Sequence, residues 1–310
     1  MSQDRIRGDG SYHLPVMASE VAELLAPVMP GVVVDATFGG GGHSRRLLDE
    51  FGEDVSVIGI DRDPEALANA RGMRVTVAEG NFRDLESLVS LLTSEPIAAT
   101  LFDFGVSSYQ LEQAERGFSY RHDGPLDMRM GPDAEYTAAD VINEWPEQRL
   151  TEVISRYGEE PLARRISSAI VQGRPYESTS QVATAIADAL PAARRRAGHP
   201  ARRTFQAIRI AVNGELDAIE EGIDQALAMV RPGGRVVAIS YHSLEDRIVK
   251  QRFAAGARGC TCPPDLPVCG CGNTAELRIL TRKARRATPD EVASNNRARS
   301  AVLRAVEVAA

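Results

Sequence analysis

Between residues 32 and 108 two patterns alternate, and this alternation limits the fold more than any other feature. Val32–Asp35, "VSVIGIDRDP" (55–64), "RVTVAEGNF" (74–82) and "IAATLFDFGVSS" (97–108) are apolar, β-branched runs that read as strands. Helical spacing fills the gaps in "HSRRLLDEFG" (43–52), "PEALANARG" (64–72) and "DLESLVSLL" (84–92), and a further helix is expected within residues 15–29. Strands alternating with helices of about ten residues imply βαβ units, a parallel sheet and right-handed crossovers. The expected class is therefore α/β, with a doubly wound Rossmann-like sheet.

From Tyr109 to about Ile210 the rhythm stops. "TAADVINEWPEQRLTEVISRYG", "PLARRISSAIVQG" and "STSQVATAIADALPAARRR" all carry helical periodicity, and no strand of comparable strength interrupts them. The alternation resumes with a long helical pattern over 205–230, a glycine turn into a fifth strand ("RPGGRVVAISYHS") and a helix in "EDRIVKQRF". "ELRILTRK" and "RSAVLRAVEV" read as a closing antiparallel pair. The expected organisation is a discontinuous domain, 1–108 with 211–310, interrupted by an all-helical insertion over 109–210.

The first strand runs into "DATFGGGGHS" (35–44) and then a helix, an order that makes the glycines a ligand loop rather than a linker. No lysine follows them, so the phosphate loop GxxxxGK[ST] is absent. The dinucleotide pattern GxGxxG fails as well, because its third glycine falls on Ser44. S-adenosylmethionine suits such a loop, because it has no phosphate to cradle. Asp61 ends the second strand, where a carboxylate accepts hydrogen bonds from ribose hydroxyls. Phe82 follows the third strand and can stack on adenine. Asp103 ends the fourth, at the mouth of the same sheet.

Seven segments together resemble the bacterial 16S ribosomal RNA cytosine-N4 methyltransferases: "DATFGGGGHS", "IGIDRDP", "FDFGVSS.QL..AERGFS", "DGPLDMRM", "RTFQAIRIAVNGEL", "SYHSLEDRIVK" and "NNRARSAVLR". The match runs from about His13 to Arg304. "DGPLDMRM" and "SYHSLEDRIVK" are not generic methyltransferase motifs, so the resemblance is specific. It implies a class I methyltransferase sheet and methyl transfer from S-adenosylmethionine to the N4 amino group of a cytidine in the decoding centre of the small ribosomal subunit. Carried over by position, the family's cofactor contacts fall on Gly41, Gly42, His43, Asp61, Phe82, Asp103 and Gln110. Gly40 is a departure, since some relatives carry a larger residue there. A methyltransferase with another nucleic-acid or protein target would keep the same cofactor residues, and so would an RNA-binding factor with a vestigial pocket.

Cytosine N4 is a poor nucleophile, because its lone pair is delocalised into the ring. Alignment of the reacting atoms supplies roughly 7–11 kcal/mol of barrier reduction, and an acceptor for the amino hydrogens draws the lone pair out of conjugation. Asp103, with nearby backbone carbonyls of "DFGVSS" (103–108), is the candidate catalytic acceptor, and a role for Asp103 confined to the cofactor competes with it. His242 follows the fifth strand and either reaches the same crevice or, the favoured reading, pins a turn. Asp127 and Arg129 either pair or line an RNA path.

The net charge of −7 excludes a uniformly basic nucleic-acid coat. Basic charge is nevertheless clustered. Residues 190–210 hold six arginines (Arg194, Arg195, Arg196, Arg202, Arg203 and Arg209) and no acid, and residues 278–304 hold eight Lys/Arg against two acids. With Arg129, Arg194, Arg195, Arg196, Arg202 and Arg203 are the candidate RNA contacts. Cys260, Cys262, Cys269 and Cys271 form C-x-C-x6-C-x-C, which could hold a structural zinc, remain reduced or form a local disulfide. No apolar run approaches the roughly 20 residues of a membrane helix, and "MSQDRIRGDGSYHLPVM" has no signal-peptide core. The expected location is the cytoplasm, with 16S rRNA and the small ribosomal subunit as partner, for a monomer or homodimer.

Overall fold

The architecture is that of a computed structural model, which describes residues 15–196, 199–260, 262 and 270–310, without the side chains of residues 108, 109, 195 and 196. The chain divides into two compact units, Met1–Gly105 with Leu216–Ala310, and Val106–Glu215.

The first unit carries an eight-stranded sheet. Its strands are β1 (Gly31–Asp35), β2 (Val55–Asp61), β3 (Val75–Glu79), β4 (Ile97–Asp103), β5 (Val230–Ser240), β6 (Leu277–Ile279), β7 (Arg285–Arg286) and β8 (Val302–Val308). Their order is β3-β2-β1-β4-β5-β8-β6, with β7 also paired to β8. β3, β2, β1, β4 and β5 are mutually parallel, and β8 runs antiparallel to both β5 and β6. The order reverses between β1 and β4, the switch point where doubly wound sheets take ligands. β1 and β4 are buried along almost their whole length, so they read as continuous apolar runs.

Helices cover both faces. On one, Val33, Val57, Leu101, Val237, Ile239 and Leu303 form a core with α1 (Ala18–Leu25) and Leu47 of α2 (Gly42–Phe51). On the other, Val32, Val34, Ile58, Ile60, Phe102, Val236 and Ala238 pack with α4 (Leu85–Ser90), α12 (Glu215–Met229) and α13 (Ser243–Gly256). Short α3 (Pro64–Leu67) starts on Asp63, whose carboxylate accepts from Glu65 N at 3.1 Å, with proline at its first position. α14 (Pro289–Ser294) precedes β8.

The second unit contains α5 (Ser108–Glu112), α6 (Ala138–Glu144), α7 (Glu147–Gly158), α8 (Ala163–Gln172), α9 (Thr179–Ala189), α10 (Ala192–Arg196) and α11 (Arg202–Asn213). Ile142, Leu150, Ile154, Ile166, Ile170, Val182, Ile186 and Ile208, all fully buried, form its core. A capping box between Thr137 and Asp140 opens α6.

Several sequence expectations are corrected. The single helix over 205–230 is two, because Gly214 adopts φ 60°, a left-handed conformation that ends α11. The fourth strand stops at Asp103 rather than 108. "ELRILTRK" contributes only Leu277–Ile279. The closing pair β6 and β8 is antiparallel, but β8 is inserted beside β5 and not merely added at the edge. Among the described residues no helix is long and apolar enough to cross a membrane.

"DGPLDMRM" is held from inside the second unit by the NG step that ends α11. Asn213, 4% exposed, donates from Nδ2 to Met128 O (2.8 Å) and Arg209 O (2.9 Å), and accepts from Met130 N at Oδ1 (2.8 Å). Met128 has φ 59°, so this loop needs external support. Asn213→Ala leaves buried backbone groups unpaired and is expected to cost about 2 kcal/mol, read as a lower urea midpoint with an unchanged m-value.

Candidate active site

Three neighbouring parallel strands each end on an aspartate: Asp35 on β1, Asp61 on β2 and Asp103 on β4. The glycine loop runs from the first of these to α2. Gly39 and Gly41 have φ of 52° and 69°, where side chains are strained. Phe38, 2% exposed, lies beneath the loop. A Cβ on Gly41 would approach its Cζ to 2.8 Å, and one on Gly59 of β2 would approach its Cδ2 to 2.5 Å. Phe38 N donates to Ile60 O (2.9 Å), and Gly41 N to Phe38 O (2.8 Å). The loop is thus pinned to β2 by an aromatic ring that only glycines can accommodate.

Asp61 is held in the same way. Its Oδ2 accepts from Gly39 N at 2.7 Å and its Oδ1 from Asp63 N at 2.9 Å. Burial nonetheless pushes its pKa up to about 6, the two backbone bonds offsetting only part of the cost.

The other two aspartates meet at His43, the second residue of α2. Ser44 Oγ donates to Asp35 Oδ2 (2.7 Å), while Asp35 Oδ1 is buried without a hydrogen-bond partner. Burial raises the Asp35 pKa, and His43 and Ser44 oppose the rise. His43 Nε2 lies 3.4 Å from Asp103 Oδ2, an ion-pair distance without hydrogen-bond alignment. Burial disfavours the imidazolium, but the carboxylates of Asp103 and Asp35 outweigh it, and the His43 pKa is raised.

Asp103 is fixed from two sides. Its backbone N donates to Thr37 Oγ1 (2.6 Å), and Tyr241 Oη donates to its Oδ1 (2.7 Å). Burial, followed by the Asp103 charge, holds the Tyr241 pKa well above 10, so the phenol remains a donor. "SYHSLEDRIVK" builds this support. His242 caps α13 by accepting from Glu245 N at Nδ1 (3.4 Å), and Glu245 Oε2 accepts from Tyr241 N (2.7 Å) and His242 N (3.1 Å). Asp246 binds Arg304 of "NNRARSAVLR" through two bonds, 2.6 and 3.0 Å.

Phe82 sits in a short 3-10 turn after β3, its ring centroid 5.7 Å from Phe102 and 5.9 Å from Phe104. Gln110 belongs to the second unit, where it is buried and its Oε1 accepts from Ser107 N (3.1 Å). The sequence reading missed Asp35, Phe38, Thr37 and Tyr241. All four lie inside the resembling segments, which was the available signal.

The chain matches the family model described as the MraW methylase family over residues 10–309. It belongs to the MraW methylase family. It is similar to proteins named ribosomal RNA small subunit methyltransferase H. The relative from Heliobacterium modesticaldum is 49% identical over 307 residues, covering 96% of this chain and 98% of that protein. Those from Symbiobacterium thermophilum and Geobacter sulfurreducens are each 50% identical over 305 residues, covering 95% of this chain and 96% and 98% of theirs. The solved structure of an rRNA methylase from Streptococcus thermophilus aligns over 96% of this chain and 99% of that one, at 11% identity and a TM-score of 0.40.

Three of the candidate RNA contacts of this methylase, Arg129, Arg194 and Arg203, are occupied within the second unit. Arg129 forms a two-bond pair with Asp127, 2.9 and 2.8 Å. Arg194 binds Glu160 at 3.1 and 3.3 Å, and Arg203 approaches the same carboxylate to 3.7 Å. Glu160 is 4% exposed, so it needs this countercharge. Arg209 is paired with Glu215 through two 2.8 Å bonds. Arg202 is exposed. The side chains of Arg195 and Arg196 lie outside the described residues, as does Cys269.

Proposed function

We propose that this methylase transfers a methyl group from S-adenosylmethionine to the N4 amino group of a cytidine in the decoding centre of 16S rRNA, within the small ribosomal subunit. The observation that carries the reading is Asp103, a carboxylate fixed by Tyr241 and Thr37 at the end of β4, with 23% of its side chain still exposed. The cofactor fits the residues around it. Two positive-φ glycines leave bare backbone, and Asp35 and His43 present buried polar atoms without partners. Three acidic strand ends complement a molecule with two cationic centres.

Bound S-adenosylmethionine supplies an electrophilic methyl group on a sulfonium. Asp61 holds the ribose hydroxyls, since each of its oxygens keeps a second lone pair after accepting from the backbone. Gly41, Gly42 and the start of α2 would receive the carboxylate, beside His43. Phe82 would supply an apolar wall for the adenine. Asp103 would accept a hydrogen bond from the target amino group, localising the nitrogen lone pair, and would take up the proton that the nitrogen loses as it gains the methyl group while the sulfonium leaves as a neutral thioether. Tyr241 positions that carboxylate. Label from tritiated S-adenosylmethionine is expected in N4-methylcytidine after incubation with small-subunit particles. Absence of label from small-subunit particles, whole ribosomes and naked 16S rRNA would overturn the reading, as would label on another nucleoside.

Asp61 makes cofactor binding pH-dependent. Ribose hydroxyls donate only to the ionised form, so affinity should drop about tenfold from pH 7 to pH 5 for a group with a pKa near 6. Calorimetry on Asp61→Asn should show weaker binding with that pH slope removed. The same raised pKa acts on stability. Between about pH 4 and 6 the native chain binds a proton more readily than the unfolded chain, so this group's contribution falls as pH rises through that window.

A further inference from the structure

We propose that Cys260, Cys262 and Cys271 bind one Zn²⁺ ion, in a site separate from the methyl-transfer site. None of these three described cysteines is in a disulfide. Their Sγ atoms all lie within 4.8 Å of one another, and those of Cys260 and Cys271 are 3.7 Å apart. Zinc–sulfur bonds of about 2.3 Å at tetrahedral angles place two ligating sulfurs about 3.8 Å apart. Gly270 N donates to Cys262 Sγ at 3.3 Å, a bond that favours the thiolate over the thiol. Clustered thiolates repel one another unless a cation lies between them. Soft sulfur donors in tetrahedral array select zinc or an iron–sulfur centre, and a single mononuclear ion suits the short separation.

The surrounding chain shows why a metal would be needed. The segment leaves α13 and returns at β6, and its base is closed by Glu276 N donating to Gly256 O (2.9 Å). At that neck the chains touch closely, since a Cβ on Gly256 would lie 2.5 Å from Leu277 Cδ1. Between them, residues 258–275 include only Leu266 and Val268 as large aliphatic side chains. Among the described residues of this stretch there is no helix or strand. Two apolar side chains cannot form a core, so a cross-link through the thiols supplies the ordering that burial does not.

The test uses the full chain, expressed with added zinc and purified under reducing conditions. Elemental analysis should find one zinc per chain. Exchange with Co²⁺ should give the intense visible absorption of tetrahedral thiolate-bound cobalt. The Cys260→Ser/Cys271→Ser variant should lose both signals while binding S-adenosylmethionine as the parent does. Should that variant prove insoluble, chelator treatment of the parent gives the same answer: zinc release must expose new reactive thiols. Metal-free parent protein, bound iron, a Cys260–Cys271 disulfide, zinc retained in the variant, or zinc release without a gain in thiols would each overturn the proposal.

Discussion

Asp103→Asn is expected to slow methyl transfer at saturating cofactor by on the order of 10²–10³-fold, the range found when a positioned polar group is lost from a transition state. Asparagine nearly matches aspartate in shape, so the fold should survive. What changes is the acceptor. Tyr241 donates to one oxygen and His43 faces the other. The amide can keep an acceptor toward Tyr241 only by turning its own N–H groups toward the His43 ring. The target amino group then loses the anionic partner that localises its lone pair. Single-turnover rates and calorimetry on the same variant separate the two roles open to this residue. A normal saturated rate with a weakened cofactor Kd would confine Asp103 to cofactor binding. Tyr241→Phe should move the rate in the same direction by less, because it removes only the positioning bond.

Gly59→Val should produce the largest loss of stability, about 3 kcal/mol, near the upper end of the range for overpacking a filled core. The glycine lies mid-strand in β2, between β1 and β3. Its missing side chain is the space occupied by Phe38, with Cδ2 at 2.5 Å and Cγ at 2.9 Å from an ideal Cβ. Both partners are backbone-anchored and buried, so neither can yield cheaply. Denaturant titration measures the loss. Cofactor affinity should decrease with it, since the displaced ring also supports Gly41. Pairing the change with Phe38→Leu should recover part of the stability, and a double variant no better than the simple sum would show that the ring is not the cause.

Much of this arrangement was legible in the sequence for a physical reason. Central parallel strands are buried on both faces, so β1 and β4 stand out as near-continuous apolar runs, and the residues that end them and β2 are polar. Asp61 and Asp103 were visible on that ground alone. What was not legible depends on separation along the chain. Tyr241 reaches Asp103 across 138 residues, and no local pattern marks the pair. Glu160 lies 34 residues before Arg194, so a run of arginines read as an open basic patch when part of it neutralises a buried acid. Gly214 was the reverse case, because the NG step is a local turn signal. The apolar periodicity on both sides outweighed it and suggested one continuous helix.

The placement of β8 has a consequence for how the chain is made. Translation delivers β6 and β7 before the strand that both must pair with. Until residues 302–308 leave the ribosome, β5 has a bare edge, and the two short strands beyond it have no ladder to join. β3, β2, β1 and β4 can assemble early, from segments close in sequence, as N-terminal portions generally do during synthesis. The antiparallel half must close in one late step, and the bond between Arg304 and Asp246 ties α13 to the sheet only then. A growing chain therefore carries an exposed, pairing-competent edge from the completion of β5 until β8 emerges, the kind of unpaired strand edge that invites aggregation during folding.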